Sequence, residues 1–498
     1  MSLGTKAREA VFWTAGFSLF RDLLQFVQTL VLVRLLAPEA YGRFGLVTSV
    51  VTFFTVVSFR EFLQHTLQVR DDRDLHYQDH FTAGLAIQVA MCALVNLTAV
   101  GLRWTSTYAP VAPMLHVMSV LFLLDLPCEF RVKMLERELQ WKRLRTLNAA
   151  GIVIYAVASI AMAAAGAGAW ALLVPTLFVT VPFIYDLFVT AGWRPTWHWS
   201  RKGYEPAARF GFTRVSGASL ATASQLCENA VLARAVGFVA LGVFGRAGGL
   251  AQMSCLKVGT ILMQALYPVL TKIAPGSERY RQVAALVLRS VAWVAVPLGV
   301  IVAVLGRPVV NVLYGAKWVE VIPLVASAMA MGVALSLSQA AYFVLLAHQR
   351  QRRCLVVDAV RLGGTLLLLA VLLPRGVSAY LQGLAVLHAC TFTIVARWLR
   401  QDRAITLPGL VSAIAPPLAG SAAGIALCEI ARRSAGIAVE GFWSGLAYGS
   451  VFAAVYVLAL RLLFESQLRE LVACLPQSGR LNKVLGFRPS AAVPVEVA

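Results

Sequence analysis

Arg21 and Asp22 stand side by side inside an apolar run, FSLFRDLLQFVQTLVLVRLL at residues 17–36. A charge at the centre of a bilayer-spanning helix costs roughly 2.5–3.5 kcal/mol even on the mildest insertion scale, so two adjacent ones call for a use. Thr14, Ser18, Arg21, Gln25 and Gln28 recur at spacings of three or four and fall on one helical face. A guanidinium there can donate charge-assisted hydrogen bonds to phosphate oxygens. The glutamine amides both donate and accept, which suits sugar hydroxyls. Asp22, drawn out of water beside a cation, can bind H⁺ or Na⁺. The competing reading is a local neutral couple, Arg21 with Asp22, that only fixes helix packing.

The elements that must position these groups are membrane spans. The chain has 498 residues, 59% hydrophobic and 14% charged, with mean hydropathy +0.73. Too few charges are present to cover a soluble surface, and apolar runs of about 20 residues recur from end to end. Fourteen such segments can be marked, at 10–34, 41–60, 81–103, 108–127, 148–166, 169–190, 207–235, 239–270, 283–305, 321–346, 356–374, 378–399, 407–430 and 442–464. The N-terminus, MSLGTKAREA, reads as uncleaved, because the apolar stretch after it is broken by Arg21-Asp22 and lacks a small-residue cleavage pattern. The tail after Leu475 reads as mobile.

Summing Lys and Arg over alternate connections gives roughly 30 on the side of both termini and roughly 9 on the other, which places both termini in the cytoplasm. The net charge of +20 is largely this bias together with attraction to anionic membrane lipids, and no nucleic-acid partner is needed to explain it. The most basic connection, CEFRVKMLERELQWKRLRTLN at 128–148, reads as an amphipathic helix lying on the inner leaflet.

The chain also repeats itself. QFVQTLVLVRLLAPEAYGRFG (25–45) and QLCENAVLARAVGFVALGVFG (225–245) share Gln25, Val31, Leu32, Arg34, Ala40, Gly42, Phe44 and Gly45 with residues 200 positions later, without a gap, against about two matches expected by chance. The repeat pairs span 1 with span 7, an even offset of six spans, so both copies enter from the same side: a parallel repeat. Residues 1–200 (spans 1–6) and 201–403 (spans 7–12) then form two lobes, 404–475 adds spans 13–14, and 476–498 is a cytoplasmic tail. The span 7 face matching the first stripe carries Arg214, Ala218, Ala221, Gln225 and Glu228. Polar residues on equivalent helices line one central cavity most simply. Lys257 sits deep in span 8 and joins the set. The expected fold is thus an all-α polytopic membrane protein of about fourteen transmembrane helices, two six-helix lobes plus two extra C-terminal helices, around that cavity.

Other polar residues read more plainly. Arg34, Arg209, Arg234 and Arg246 lie near span ends, where snorkelling suffices. Asp125 and Asp186 lie near cytoplasmic ends and read as solvated. His76 and His80 have helical metal-pair spacing but fall in a polar loop with no third ligand. The eight cysteines (92, 128, 227, 255, 354, 390, 428, 474) form no CxxC pair and read as small buried hydrophobes.

Three motifs carry a resemblance: VLVRLLAPEAYGRFGL at 31–46, LERELQWKRL at 135–144, and ENAVLARAVGFVALGVFGRAGGLAQM at 228–253. Over about residues 8–400 the chain resembles the bacterial polysaccharide or oligosaccharide flippases (Wzx or PST-type exporters) of the multidrug/oligosaccharidyl-lipid/polysaccharide superfamily. It departs from them where Glu228 replaces the usual Asp, where Val243-Phe244 replaces a tyrosine pair, and where Gly245 replaces a serine. Arg21-Asp22 is similar to an Arg-Asp pair in the first span of the lipid II flippase, whose arginine is thought to meet the lipid's pyrophosphate. The resemblance implies export of an isoprenoid pyrophosphate-linked oligosaccharide by alternating access, together with the polymerase and export machinery of the same pathway. Arg21, Arg214 and Lys257 would then meet phosphate, Gln25, Gln28 and Gln225 the sugars, and Asp22 and Glu228 a coupling H⁺ or Na⁺. No cofactor is implied, and no GxxxxGK[ST] loop for ATP is present. Coupling to the membrane potential is the alternative drive. Rival readings are a cation-coupled drug extruder, to which a basic cavity is ill-suited, and a membrane polymerase or ligase, which would need a larger outward loop than this chain has. A non-transporting scaffold whose cavity has lost its function is the third.

Overall fold

In the computed structural model every regular element among the described residues is helical. The structure describes residues 3–57, 60–63, 76–435 and 441–473. Cys474 and the tail beyond it lie outside these residues, and the side chains of Arg209 and Arg214 are likewise outside what is described.

The long helices are α1 (Leu3–Leu35), α2 (Pro38–Val57), α3 (Tyr77–Arg103), α4 (Ala112–Arg137) and α5 (Trp141–Ala164). α6 comprises Trp170–Phe178 and Val181–Tyr185 and closes in a π turn at Asp186–Thr190. The run Arg201–Ala251 breaks at Gly237, at φ 83° and ψ 171°. Its limb at 201–236 is α7, and its limb at 238–251 opens α8, which continues through a π turn, Gln252–Leu256, and Lys257–Lys272. Then follow α9 (Glu278–Val304), α10 (Ile322–Ala347), α11 (Gln351–Val371), α12 (Val377–Gln401), α13 (Leu407–Ala435) and α14 (Phe442–Leu463). The fourteen segments marked in the sequence map onto these fourteen helices. Twelve helical segments among the described residues are apolar and long enough to cross a membrane, with α7 and the start of α8 running as one. α2, with 20 residues, is about 30 Å long and can also reach across. This is a multi-pass membrane protein.

Local signals explain the boundaries. α1 ends at a two-residue turn, after which Pro38 opens α2, where its missing N–H costs nothing and Glu39 complements the helix dipole. α4 and α5 are joined through Leu139 at φ 55°, with Gln140 N–H reaching back to Leu135 O at 2.9 Å. α10 and α11 are joined in the same way through Gln349 at φ 58°, with Arg350 N–H to Leu345 O at 3.4 Å. Both are left-handed helix stops of the Schellman type.

These turns carry the repeat into three dimensions. The break at Ala37 has its counterpart 200 residues on at Gly237, and the stop at Leu139 has its counterpart at Gln349. The chain packs as two compact units, Met1–Gly245 with Thr365–Pro374, and Arg246–Gly364 with Arg375–Ala498. In the first, α1 packs on α5, α3 on α4 and α5 on α6; in the second, α10 is sandwiched by α9 and α12, and α13 bridges α9 and α14. These are units of packing. The lobes bounded at 200 and 403 are units of topology and stand as a proposal.

The stretch 128–148 corrects one expectation. It does not form a separate surface helix but the end of α4, the Leu139 turn and the start of α5, with Arg131 and Lys133 buried. Burial is tolerated because each cation has a carboxylate: Lys133 Nζ meets Glu136 Oε2 at 2.7 Å, and Arg131 Nε meets Asp186 Oδ2 at 2.6 Å.

Candidate functional site

α1 and α5 run parallel and in register. Arg145 Nη2 donates to Thr14 Oγ1 at 3.3 Å, and Gln28 Nε2 donates to Ser159 Oγ at 2.7 Å. Each pair is separated by 131 residues, and the two pairs lie 14 residues, about 21 Å, apart along both helices. Spans 1 and 5 therefore point the same way, as strict alternation demands.

At one end of this pair sits a cluster of cations and rings. Arg21 bonds its neighbour: Nη2 lies 3.2 Å and Nε 3.3 Å from Asp22 Oδ1. The local couple is thus present, but it is not sealed, for the Arg21 and Asp22 side chains remain 41% and 31% exposed. The Arg21 guanidinium lies 6.0 Å from the Phe17 ring centroid, and the Arg145 guanidinium lies 5.6 Å from the same centroid. Arg145 is also 5.8 Å from the Trp141 ring, and Lys142 Nζ is 5.8 Å from that of Trp13. The sequence reading missed Arg145, because only the fold carries it across 124 residues to Arg21.

The remaining stripe residues separate. Gln25, Gln225 and Lys257 are exposed, and Glu228 is half-buried. Gln28 is buried, its amide donated to Ser159, so it belongs to the α1–α5 contact. Arg214 lies on α7, its side chain outside the described residues. Arg21, Asp22, Gln25, Gln225 and Glu228 all belong to the first packing unit; Lys257 belongs to the second.

The two repeat copies meet within the first unit, at paired glycines. A Cβ on Gly42 would stand 1.9 Å from Phe238 O, and one on Gly242 would stand 1.9 Å from Pro38 O. Shifting either contact by 200 residues generates the other, so the approach is two-fold symmetric. Only glycine lets helix backbones come so near, through Cα–H···O contacts. Nearby, Asn229 Nδ2 donates to Gly45 O at 3.4 Å, and Tyr108 OH donates to Ala230 O at 2.9 Å. Burial pushes the Tyr108 phenol above its usual pKa, with the charge of Arg234 opposing.

Further polar groups sit where the sequence did not put them. Asp186 is buried rather than solvated, held between Arg131 and Arg143, whose Nη2 lies 2.5 Å from Oδ1. In the second unit Asp402 takes the Arg353 Nη1 at 2.8 Å and the Arg350 Nε at 3.0 Å, with His348 at 3.9 Å. Burial holds the His348 pKa below the ordinary histidine value, the positive Arg350 and Arg353 adding to it and Asp402 opposing. His80 lies buried within α3, not in a loop, while the buried Asp79 meets His198 Nδ1 and lies 3.8 Å from His76 Nδ1. Inside α10 and α11, Tyr342 OH donates to Asp358 Oδ2 at 3.0 Å and Arg361 Nη2 donates to Ser338 Oγ at 2.8 Å.

Comparison with known proteins then decides the family. Residues 31–323 match the model of the polysaccharide biosynthesis protein family. The chain belongs to that family. It is 22% identical over 296 residues to the succinoglycan biosynthesis transport protein ExoT of Rhizobium meliloti (strain 1021), covering 59% of the chain and 60% of ExoT. It is 20% identical over 358 residues to the lipopolysaccharide biosynthesis protein WzxC of Escherichia coli (strain K12), covering 70% of the chain and 72% of WzxC. The chain thus spans three-fifths of ExoT's length in that match. In fold it is similar to the lipid II flippase MurJ in an inward closed conformation, with TM-score 0.68 at 10% identity, covering 92% of this chain and all of MurJ. It is also similar to an inward-facing MATE multidrug transporter, with TM-score 0.56 at 13% identity, covering 77% of the chain and 94% of the transporter.

Proposed function

We propose that this protein is a flippase that moves an isoprenoid diphosphate-linked oligosaccharide from the cytoplasmic to the outer leaflet of a bacterial inner membrane, both termini being cytoplasmic. The observation that carries this reading is the half-open Arg21–Asp22 pair on a bilayer-length helix, continued by exposed Gln25 and matched on the repeat helix by exposed Gln225 and half-buried Glu228. A hydrated, anionic head group cannot cross bare hydrocarbon without losing its hydrogen bonds; a polar face with a few cations replaces them. Arg21, Arg214 and Lys257 are assigned to phosphate, Gln25 and Gln225 to sugar hydroxyls, and Asp22 and Glu228 to a coupling proton or cation. Gln28 is assigned to helix packing. The name of ExoT supports a transport role rather than an enzymatic one, that of WzxC supports a place in polysaccharide assembly, and a polymerase of the same pathway is the expected partner. With the proposed orientation, the Gly42–Gly242 contact closes the outer end of the route and must part for release.

The test is the sidedness of the lipid-linked glycan in cells lacking the protein, complemented with wild type, Arg21→Ala or Glu228→Gln, using an impermeant reagent added outside and mass spectrometry. Full-length glycan stranded inside in the deletion and with Arg21→Ala supports the reading. Unchanged sidedness with shortened glycan makes the protein an enzyme or accessory factor instead.

A further inference from the structure

The cation cluster at the α1–α5 contact holds more charge than its own carboxylates answer. Asp22 serves Arg21, and Glu136 serves Lys133. Among the described residues neither Arg145 nor Lys142 has a carboxylate within ion-pair distance, and Arg145 Nε is buried with no hydrogen-bond partner. Arg145 instead lies between two rings, Phe17 and Trp141, with a single contact to Thr14. Placed beside both rings, the guanidinium is held in position, and its terminal Nη groups are the ones offered to a ligand. Arg21 is placed on the same Phe17 ring. Two guanidiniums beside one ring repel each other; Asp22 answers Arg21 and the charge of Glu136 reaches Arg145 without an ion pair, which leaves the cluster of Arg21, Arg145, Lys142 and Lys133 cationic on balance. A doubly phosphorylated anion would answer that charge.

We infer that Arg145 is a second phosphate-binding residue, and that Arg21 and Arg145, with Phe17 as their common wall, together select a diphosphate head group over a monophosphate one. One phosphoryl group falls to each guanidinium. Lys142, on the Trp13 ring at the rim, adds long-range attraction. This rests on the proposed flippase reading and deepens it by adding Arg145, on a different helix from Arg21, as the residue that discriminates between head groups. A charge-assisted hydrogen bond to phosphate contributes about 1.5–3 kcal/mol, so losing Arg145 weakens diphosphate binding roughly 10–100-fold.

The experiment is direct binding to the full-length protein in nanodiscs, with geranylgeranyl diphosphate, geranylgeranyl monophosphate, inorganic pyrophosphate and phosphatidylglycerol as probes. The wild type is expected to favour the lipid diphosphate over the monophosphate. Arg145→Gln removes most of that preference while leaving monophosphate affinity within about twofold, and Arg145→Lys, which keeps the charge, restores part of it. A variant that unfolds loses both affinities together, so the ratio reports recognition and not folding. Retention of the full preference in Arg145→Gln, or equal loss for both lipids with the fold intact, overturns the inference. Wild-type protein that binds pyrophosphate or phosphatidylglycerol as tightly as the lipid diphosphate, with Arg145→Gln weakening them, keeps the two-arginine anion site and overturns the flippase cargo instead.

Discussion

Replacing Gly42 by alanine tests whether the two repeat copies seal the outer end of the route. The new methyl would stand 1.9 Å from Phe238 O, whereas a carbon meets a carbonyl oxygen at about 3.3–3.6 Å. α2 and α8 must therefore part by about 1.4 Å or more. Parting removes two Cα–H···O contacts of about 0.5–1 kcal/mol each, or about 1–2 kcal/mol in all, a factor of roughly 5–30 in the ratio of sealed to parted forms. The assay is the rate at which an impermeant thiol reagent, added outside, labels Gln225→Cys in a cysteine-free background. Gly42→Ala should raise that rate roughly 5–30-fold, and Gly242→Ala should match it. The double variant should add little, because either methyl alone already parts the same pair of backbones. Gly45→Ala and Gly245→Ala are the controls, since a Cβ at either meets nothing within 4 Å. Unchanged labelling in Gly42→Ala, or an equal rise in Gly45→Ala, would refute the seal.

Asp186→Asn should strip the buried Arg131 of its counter-charge and destabilise the first unit by about 3–5 kcal/mol, read as lost thermal stability in detergent. Asp402→Asn should cost clearly less, because its partners Arg350 and Arg353 are 49% and 33% exposed and can turn to water; equal losses would contradict this. Gln28→Met should cost about 1–3 kcal/mol by leaving Ser159 without its donor, and adding Ser159→Ala should recover part of that loss in a thermal-unfolding cycle without changing transport. His348 takes up its proton less readily when folded than when unfolded. Its contribution is therefore complete above about pH 6.5 and falls away as the pH drops toward the lower folded value. His348→Phe should flatten that part of the stability–pH curve.

The spans were legible because burial in lipid leaves long apolar runs, and the breaks between them fall at Pro38, Gly237 and the polar turns. The repeat was legible because its two copies build the same symmetric contact from Gly42 and Gly242. What escaped depended on partners distant in sequence. Arg131 and Arg143 look like inner-leaflet charges until Asp186, 55 and 43 residues on, is brought between them. Gln28 continues a polar stripe by spacing, yet Ser159 on another helix takes its amide. Arg145 read as one basic residue of an inner-leaflet surface helix, and only α1–α5 packing sets it beside Arg21. Periodicity places a side chain on a face but does not say what the face meets.

The junction of α7 and α8 has a mechanical consequence. One residue, Gly237, separates two spans, where α1 and α2 have two. A hinge so short holds no slack: tilting α7 must swing α8, and the pair moves as a crank rather than as two free rods. One extra residue there would turn α8 by about 100° about its axis and carry Gly242 off Pro38. Insertions and deletions that the polar loops absorb should stall the protein at this point, so that at Gly237 chain length, and not side-chain chemistry, is what the fold constrains.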